Sequence, residues 1–321
     1  MAIRSGLAAQ LGLAAESTWG TAATPNRWFE FTDESLALTI ERIESEGLRA
    51  SNRVLRSDRY AVGNKAVEGS FSLDVTAENS GLLFKHALGA NASVNTSGTV
   101  YTHTATLGDP YSLGLTAEVG RPGNDGTVRA FTYSGCKVQE MTLSNAANEL
   151  LKGEFSLVGK DEATGTITAA SYPASQELLS FAGATITLDG GAYECKDISI
   201  NVNNNLDTDR RILGAQTINE PISASMVEVT GDITAEFKDL TAYARITGAT
   251  HASLTAAWVG SSITGTYKRG VTVTMPVCRF DGDTPNVGGP GIVEQKLTFK
   301  ALYDGSQAPI TIATVNTDTA A

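Results

Sequence analysis

Three cysteines in 321 residues, Cys136, Cys195 and Cys278, are too few and too scattered for a disulfide framework, and their number is odd. That usage fits assembly in a reducing cytoplasm. Charged residues are also sparse at 18%, and bases are the minority, 24 Lys+Arg against 35 Asp+Glu for a net charge of -11. Without a basic excess the chain is poorly suited to grip nucleic acid by neutralising phosphates; its acidity suits solubility or a surface that repels DNA. No window approaches the ~20 apolar residues of a membrane-spanning helix. His86, His103 and His251 lie in separate segments with no partner at ligand spacing, and Gly-x-Ser-x-Gly, His-Glu-x-x-His and Walker patterns are absent. Asp281 and Asp283 resemble the start of a calcium loop, but Pro285 takes the next ligand position and no Glu closes it. No catalytic, cofactor or metal site is therefore nominated, and no enzymatic activity is expected.

The opening residues, MAIRSGLAAQLGLAAES, imitate a signal peptide through Arg4 and a short apolar run. Gln10 interrupts that run, so an N-terminal arm is expected instead.

What the chain does have is glycine, 32 residues of it, with abundant Thr, Ser and Val, a composition that favours strands and turns over helices. The stretch from Leu36 to Val75 sets the plan. In VEGSFSLDV (67–75), Val67, Gly69, Phe71, Leu73 and Val75 alternate with Glu68, Ser70, Ser72 and Asp74, the period of a half-buried strand. A second alternating segment begins at Leu36, and the two are joined by a long basic arm, RASNRVLRSDR (49–59).

The same unit recurs. Ile198, Ile200 and Val202 align without a gap on Leu36, Leu38 and Ile40, Arg211 on Arg49, and VTGDITAEF (229–237) on VEGSFSLDV, with Gly231 on Gly69. Further matches follow in the same order: residues 79–90 with 239–250, Leu115-Thr-Ala117 with Leu254-Thr-Ala256, Cys136-Lys137 with Cys278-Arg279, and LLKGEFSLV (150–158) with EQKLTFKAL (294–302). Ordered repetition over half the chain argues for tandem duplication. The expected fold is mainly β, each module two packed antiparallel sheets in a sandwich or barrel with one short flanking helix. The first helix is capped by Asn79 and stopped by Gly89. The boundaries are residues 1–165 for the arm and first module, 166–178 for a linker, and 179–321 for the second module with a frayed polar tail.

The arms carry the most distinctive charge. Arg49, Arg53, Arg56 and Arg59 accompany only Asp58 in an otherwise acidic protein; the second arm holds Asp207, Asp209, Arg210 and Arg211. A solvated loop and a docking arm that pairs with carboxylates on a neighbouring copy both suit this pattern.

Several blocks resemble the tail tube (major tail) proteins of long-tailed, siphovirus-type phages of actinobacteria: STWGTAATPNRWFEF, ERIESEGLRASNRVLRSDRYAVGNKAVEGSF, GRPGNDGTVRAFTYSGCKV and VCRFDGDTPNVGGPGIVEQKLTFKALYDG. The resemblance covers nearly the whole chain. It implies a structural virion protein, assembled in the host cytoplasm, whose modules form rings stacked into a hollow tube carrying genome DNA from capsid to host. Other tail proteins meet its ends, and the long loop, here holding Arg49, Arg53, Arg56, Asp58 and Arg59 with Arg210 and Arg211 in its repeat, reaches the adjacent ring. Two modules per chain suggest trimeric, pseudo-hexameric rings, with hexameric rings as the alternative. About 24 lumen strands at ~4.8 Å spacing and ~40° tilt would enclose a barrel of roughly 45–50 Å. Glu68, Asp74, Asp232 and Glu236 are the lumen-facing candidates, whose carboxylates would let duplex DNA slide without specific binding. A secreted adhesin or carbohydrate-binding β protein is the alternative, allowed by the sequons at Asn91 and Asn95.

Overall fold

The computed structural model describes residues 5–174 and 176–321. The first half runs β1 (Gln10–Glu16), β2 (Arg27–Phe29), β3 (Asp33–Glu34), β4 (Ala37–Glu44), β5 (Tyr60–Asp74), α1 (Ser80–Leu88), β6 (Gly89–Ser97), β7 (Val100–Leu107), β8 (Gly114–Pro122), β9 (Val128–Ala146), β10 (Lys152–Gly159) and β11 (Asp161–Thr166). The second runs β12 (Ala184–Leu188), β13 (Gly191–Ala192), β14 (Asp197–Asn203), β15 (Glu228–Glu236), α2 (Leu240–Thr247), β16 (Ala252–Thr264), β17 (Tyr267–Asp281), β18 (Glu294–Ala301) and β19 (Thr311–Asn316). At 52% strand and 7% helix the protein is mainly β, with one short α-helix in each half.

The duplication is visible in the pairing. β4·β5·β10·β9 in the first half is matched by β14·β15·β18·β17 in the second, and β1·β8·β9 by β12·β16·β17, every pair antiparallel. β11 lies on β9 as β19 lies on β17. The two long strands β9 and β17 therefore pass from one sheet into the other. Between the sheets pack Phe71 and Phe155, stacked at 5.3 Å, and the fully buried Tyr133 and Trp258.

Register corrects the ungapped alignment. Ala37 pairs with Glu68 and Glu34 with Phe71, which sets Leu36 opposite Gly69, whereas Gly231 pairs with Ile200. Leu36 therefore corresponds to Ile200, not Ile198. Likewise Phe155 corresponds to Leu297 and Leu157 to Phe299, because Gly69 pairs with Leu157 and Gly231 with Phe299. Both slips are of two residues, which leaves every side chain on its own face and so leaves the hydrophobic pattern unchanged.

Both termini differ from expectation. Residues 1–4, including Arg4, lie outside the described residues, but the rest of the expected arm contains β1, whose Leu11 and Leu13 are fully buried between β2 and β8. The tail is not frayed: β19 inserts between β17 and β7, with Ile310, Ile312 and Asn316 all at 0% exposure. Asn79 is not a side-chain cap. Its backbone is left-handed (φ 65°) and its amide donates to the Trp28 carbonyl, while Asp239 does cap α2 by accepting from Thr241 N at 2.7 Å. Gly89 ends α1 at φ 94°, as expected.

Strands of the two halves pair directly. β14 lies against the C-terminal half of β9, Asp197 opposite Ala146 through Asn203 opposite Glu140, and the Trp258 indole donates to Asn145 Oδ1 at 3.0 Å. Leu178 and Ser180, after the connecting segment, bridge to Thr76 and Leu150.

Gly69 has φ 148°, and a Cβ there would lie 2.5 Å from the Ser35 carbonyl oxygen and 2.6 Å from Leu36 Cα. Both obstacles are backbone and cannot rotate away. Gly69→Ala is expected to cost about 2–3 kcal/mol in urea unfolding. A loss below half that value would show that β4 shifts freely.

Candidate assembly surfaces

The first arm leaves the body as an extension of the β4–β5 hairpin. Residues 45–59 are exposed throughout, including the apolar Leu48 (103%) and Val54 (83%). Arg56 forks onto Asp58 at 2.9 and 3.1 Å, with Arg59 at 4.0 Å, and the Arg56 hydrogen bond holds the Asp58 carboxyl below its usual range. Arg49 and Arg53 make no ion pair among the described residues.

The second arm, residues 204–227, behaves differently. It folds back over the first half of its own chain, along the part of β5 that β10 does not reach. Lys65 N donates to Gln216 O at 2.8 Å, Arg211 Nη1 to Lys65 O at 3.1 Å, and Gln216 Nε2 to Val62 O at 3.4 Å. Arg211 also pairs with Asp209 at 3.0 Å, and Arg210 donates to the Glu220 carbonyl. Underneath, Glu220 meets the Lys137 ammonium at 2.6 Å, with side chains only 13% and 2% exposed. Burial pulls the Lys137 amine below its usual value, and the Glu220 carboxylate opposes that shift. The docking depends on chain-distant partners, so nothing local in the sequence announces it.

The strand edges show the same asymmetry. The N-terminal half of β9 is flanked by β8 and β11 and its C-terminal half by β10 and β14; β17 is flanked by β16 and β19, then by β18 alone. The β9 residues that β14 covers, Glu140–Ala146, correspond in the second half to Asp281, the last residue of β17, and to the segment that follows it, which is not a strand among the described residues. β4, the counterpart of β14, has β5 on one side and, among the described residues, no strand on the other.

Glu68, Asp74, Asp232 and Glu236 lie on the solvent face of the β5·β10·β9·β14·β15·β18 sheet, opposite Phe71, Leu73, Ile233 and Ala235 in the core. Asp232 pairs with Lys296 at 3.1 Å and Glu236 with Lys196 at 3.5 Å, so basic side chains share this face.

No cluster of three or more His, Cys, Asp or Glu could hold a metal among the described residues. Burial pushes the Cys278 thiol up to about 12 and Cys195 to about 11. His103 bonds Ser93 at 2.8 Å and Asn316 at 3.1 Å. Among the described residues no helix is long and apolar enough to cross a membrane.

His86, buried in α1, is pushed down to about 4 by burial, then by the charges of Lys85 and Lys137. The unfolded imidazole binds its proton near 6.5 and the folded one only near 4, so stability falls as pH drops through that window. The loss approaches about 3 kcal/mol. Melting of His86→Leu is expected to fall less than the parent between pH 7 and pH 4.5; parallel curves would assign the acid sensitivity elsewhere.

A duplicated β wall whose two halves join through the β9·β14 strand junction has the build of a structural module protein. The chain belongs to the phage tail tube protein family, whose model matches residues 6–301. It is accordingly a viral structural protein of the virion tail. No curated protein matches it.

Proposed function

We propose that three chains close into a ring of alternating first and second modules and that such rings stack into the hollow tail tube of a long-tailed, actinobacterial phage, a passive conduit for duplex DNA. The β9·β14 junction carries this reading: it is a lateral module–module contact already made inside one chain, and at the outer ends β4 offers an edge with no second partner among the described residues while the end of β17 stands where the other side of the joint would form. Repeating it head to tail gives closed cyclic symmetry. Covalent linkage makes half of the lateral contacts intramolecular and lowers the entropy lost on assembly. Long unpaired edges would otherwise invite uncontrolled association. The solvent face holding Glu68, Asp74, Asp232 and Glu236 becomes the lumen, where carboxylates repel phosphate and prevent trapping. The exposed arm tip, with Leu48, Arg49, Arg53 and Val54, reaches a neighbouring copy in the adjacent ring.

Cryo-electron microscopy of the purified, assembled protein tests this by counting chains per ring. Three chains with both modules in the wall are expected; six chains, or second modules projecting from the wall, overturn the pseudo-hexamer. Replacing Arg49, Arg53, Arg56 and Arg59 together by Ala is expected to leave the melting temperature within about 2 °C, because surface groups contribute little to stability, and to suppress tube growth. Normal growth would remove the arm from the assembly mechanism.

A further inference from the structure

The buried Lys137–Glu220 pair has an exposed counterpart. Lys137 and Arg279 each follow a fully buried cysteine, Cys136 and Cys278, and sit opposite the equivalent strand positions Val158 and Lys300. Glu220 and Asp58 each lie 11 residues before the matched glycines Gly231 and Gly69. Their arms also leave the sheet alike, with Leu206 bridging Ser223 in one and Arg42 pairing with Val62 in the other. The duplication has therefore preserved a base on the long strand and an acid on the arm in both copies. Inside the chain the two have closed on each other. Arg279, on the long strand of the second module, and Asp58, on the arm of the first, do not meet: Arg279 turns to Asp281 at 2.8 Å, Asp58 to Arg56 at 2.9 Å, and the Arg279 and Asp58 side chains are 48% and 52% exposed.

We infer that Asp58 of one chain pairs with Arg279 of the next chain in the same ring, reproducing between copies the lock that Lys137 and Glu220 make within one. The partner is a second copy of this chain, arriving with its β4 edge beside the C-terminal end of β17, where Arg279 stands. The first arm then has two tasks: its base, at Asp58, seals the lateral joint, while its tip remains free. The substitution of Lys and Glu by Arg and Asp suits the new setting. Lys137 also donates to the Pro110 carbonyl, which lies in the loop between β7 and β8. Among the described residues the second half has no counterpart of the β6–β7 hairpin, since β16 follows α2 directly, and a guanidinium can satisfy itself on one carboxylate through two parallel bonds.

This inference rests on the ring reading, and the test separates the two. Charge-reversed Asp58→Lys and Arg279→Asp are prepared singly and together in the full chain, with folding followed by circular dichroism and ring formation by light scattering against concentration. Each single variant is expected to fold with an unchanged melting temperature and to need at least about tenfold more protein for half-assembly, since like charges across an interface are strongly unfavourable. The double variant should recover to within about threefold of the parent by the same logic. A folded single variant that assembles like the parent, or a folded double variant no better than the singles, overturns the pair while leaving rings intact. Failure of the unmodified chain to form rings overturns the ring reading, and the pair with it.

Discussion

A chain ending at Pro309 is expected not to fold. The missing residues carry Ile310 and Ile312, both at 0% exposure, and the whole of β19, which is the only strand joining β17 to β7 among the described residues. Burying two isoleucines contributes roughly 3–6 kcal/mol. Further losses come from polar groups that the segment satisfies. Asn316 Nδ2 donates to the Ala77 carbonyl at 2.8 Å, its Oδ1 meets His103 Nε2 at 3.1 Å, and Asp318 accepts from Asn79 N at 2.6 Å. Removing these partners leaves buried donors and acceptors unpaired at about 1–3 kcal/mol each. The sum reaches the whole stability of an ordinary domain, about 5–15 kcal/mol. Two strand edges are bared as well, so insoluble expression is the anticipated phenotype. A shorter cut removing only residues 319–321 should fold normally. Soluble protein with parental circular dichroism after the longer deletion would contradict the role given to β19.

That strand also shows where the sequence stops being legible. VEGSFSLDV and its repeat put large apolar residues on every second position, and β5, β15, β9 and β17 were readable from that alternation. In TIATVN the inward positions after Ile312 are Thr314 and Asn316, 1% and 0% exposed. A buried face made of polar residues with distant partners looks like a solvated tail. β6, with Asn91, Ser93 and Asn95 in one row, has no buried face at all and no alternation of large apolar residues to read. β1 was misread because a short run of small apolar residues at the start of a chain has no pattern distinguishing a central strand from an arm. Asn79 illustrates a different limit: the residue type suits a cap, but its side chain is taken by Trp28 across the fold.

The assembly surfaces divide similarly. Duplication, the arms and the polar faces could be read from residue order, because each is local. Which arm docks, and on what, could not. Lys137 and Glu220 belong to different halves, and only the folded chain brings them within 2.6 Å. Once that contact is seen, the repeated sequence regains predictive value, since it says which residues stand at the same place in the other copy.

The largest single-site effect is expected at Arg269. Its guanidinium, at the start of β17, meets Glu78 Oε1 at 2.6 Å just before α1, with side chains 14% and 2% exposed, so the pair ties the second half to the first. Burial raises the Glu78 carboxyl above its usual range, and the Arg269 hydrogen bond and charge counter that shift. Arg269→Met would leave the carboxylate buried without its counter-charge, at a cost of about 3–5 kcal/mol. The pH dependence identifies the cause. The folded Glu78 pKa already exceeds the unfolded one and rises further in the variant, so the folded state binds a proton that the unfolded state releases. Stability is then lost as pH rises from the unfolded value through the folded one, and the deficit relative to the parent should be largest near pH 8 and smaller near pH 5. His86 contributes equally to both proteins and cancels in the comparison. Adding Glu78→Gln removes the buried charge and should restore most of the loss at pH 8. Urea unfolding at both pH values decides the matter: a deficit that does not shrink on acidification, or a double variant as unstable as Arg269→Met alone, would place the destabilisation in lost packing of the arginine stem rather than in the stranded carboxylate.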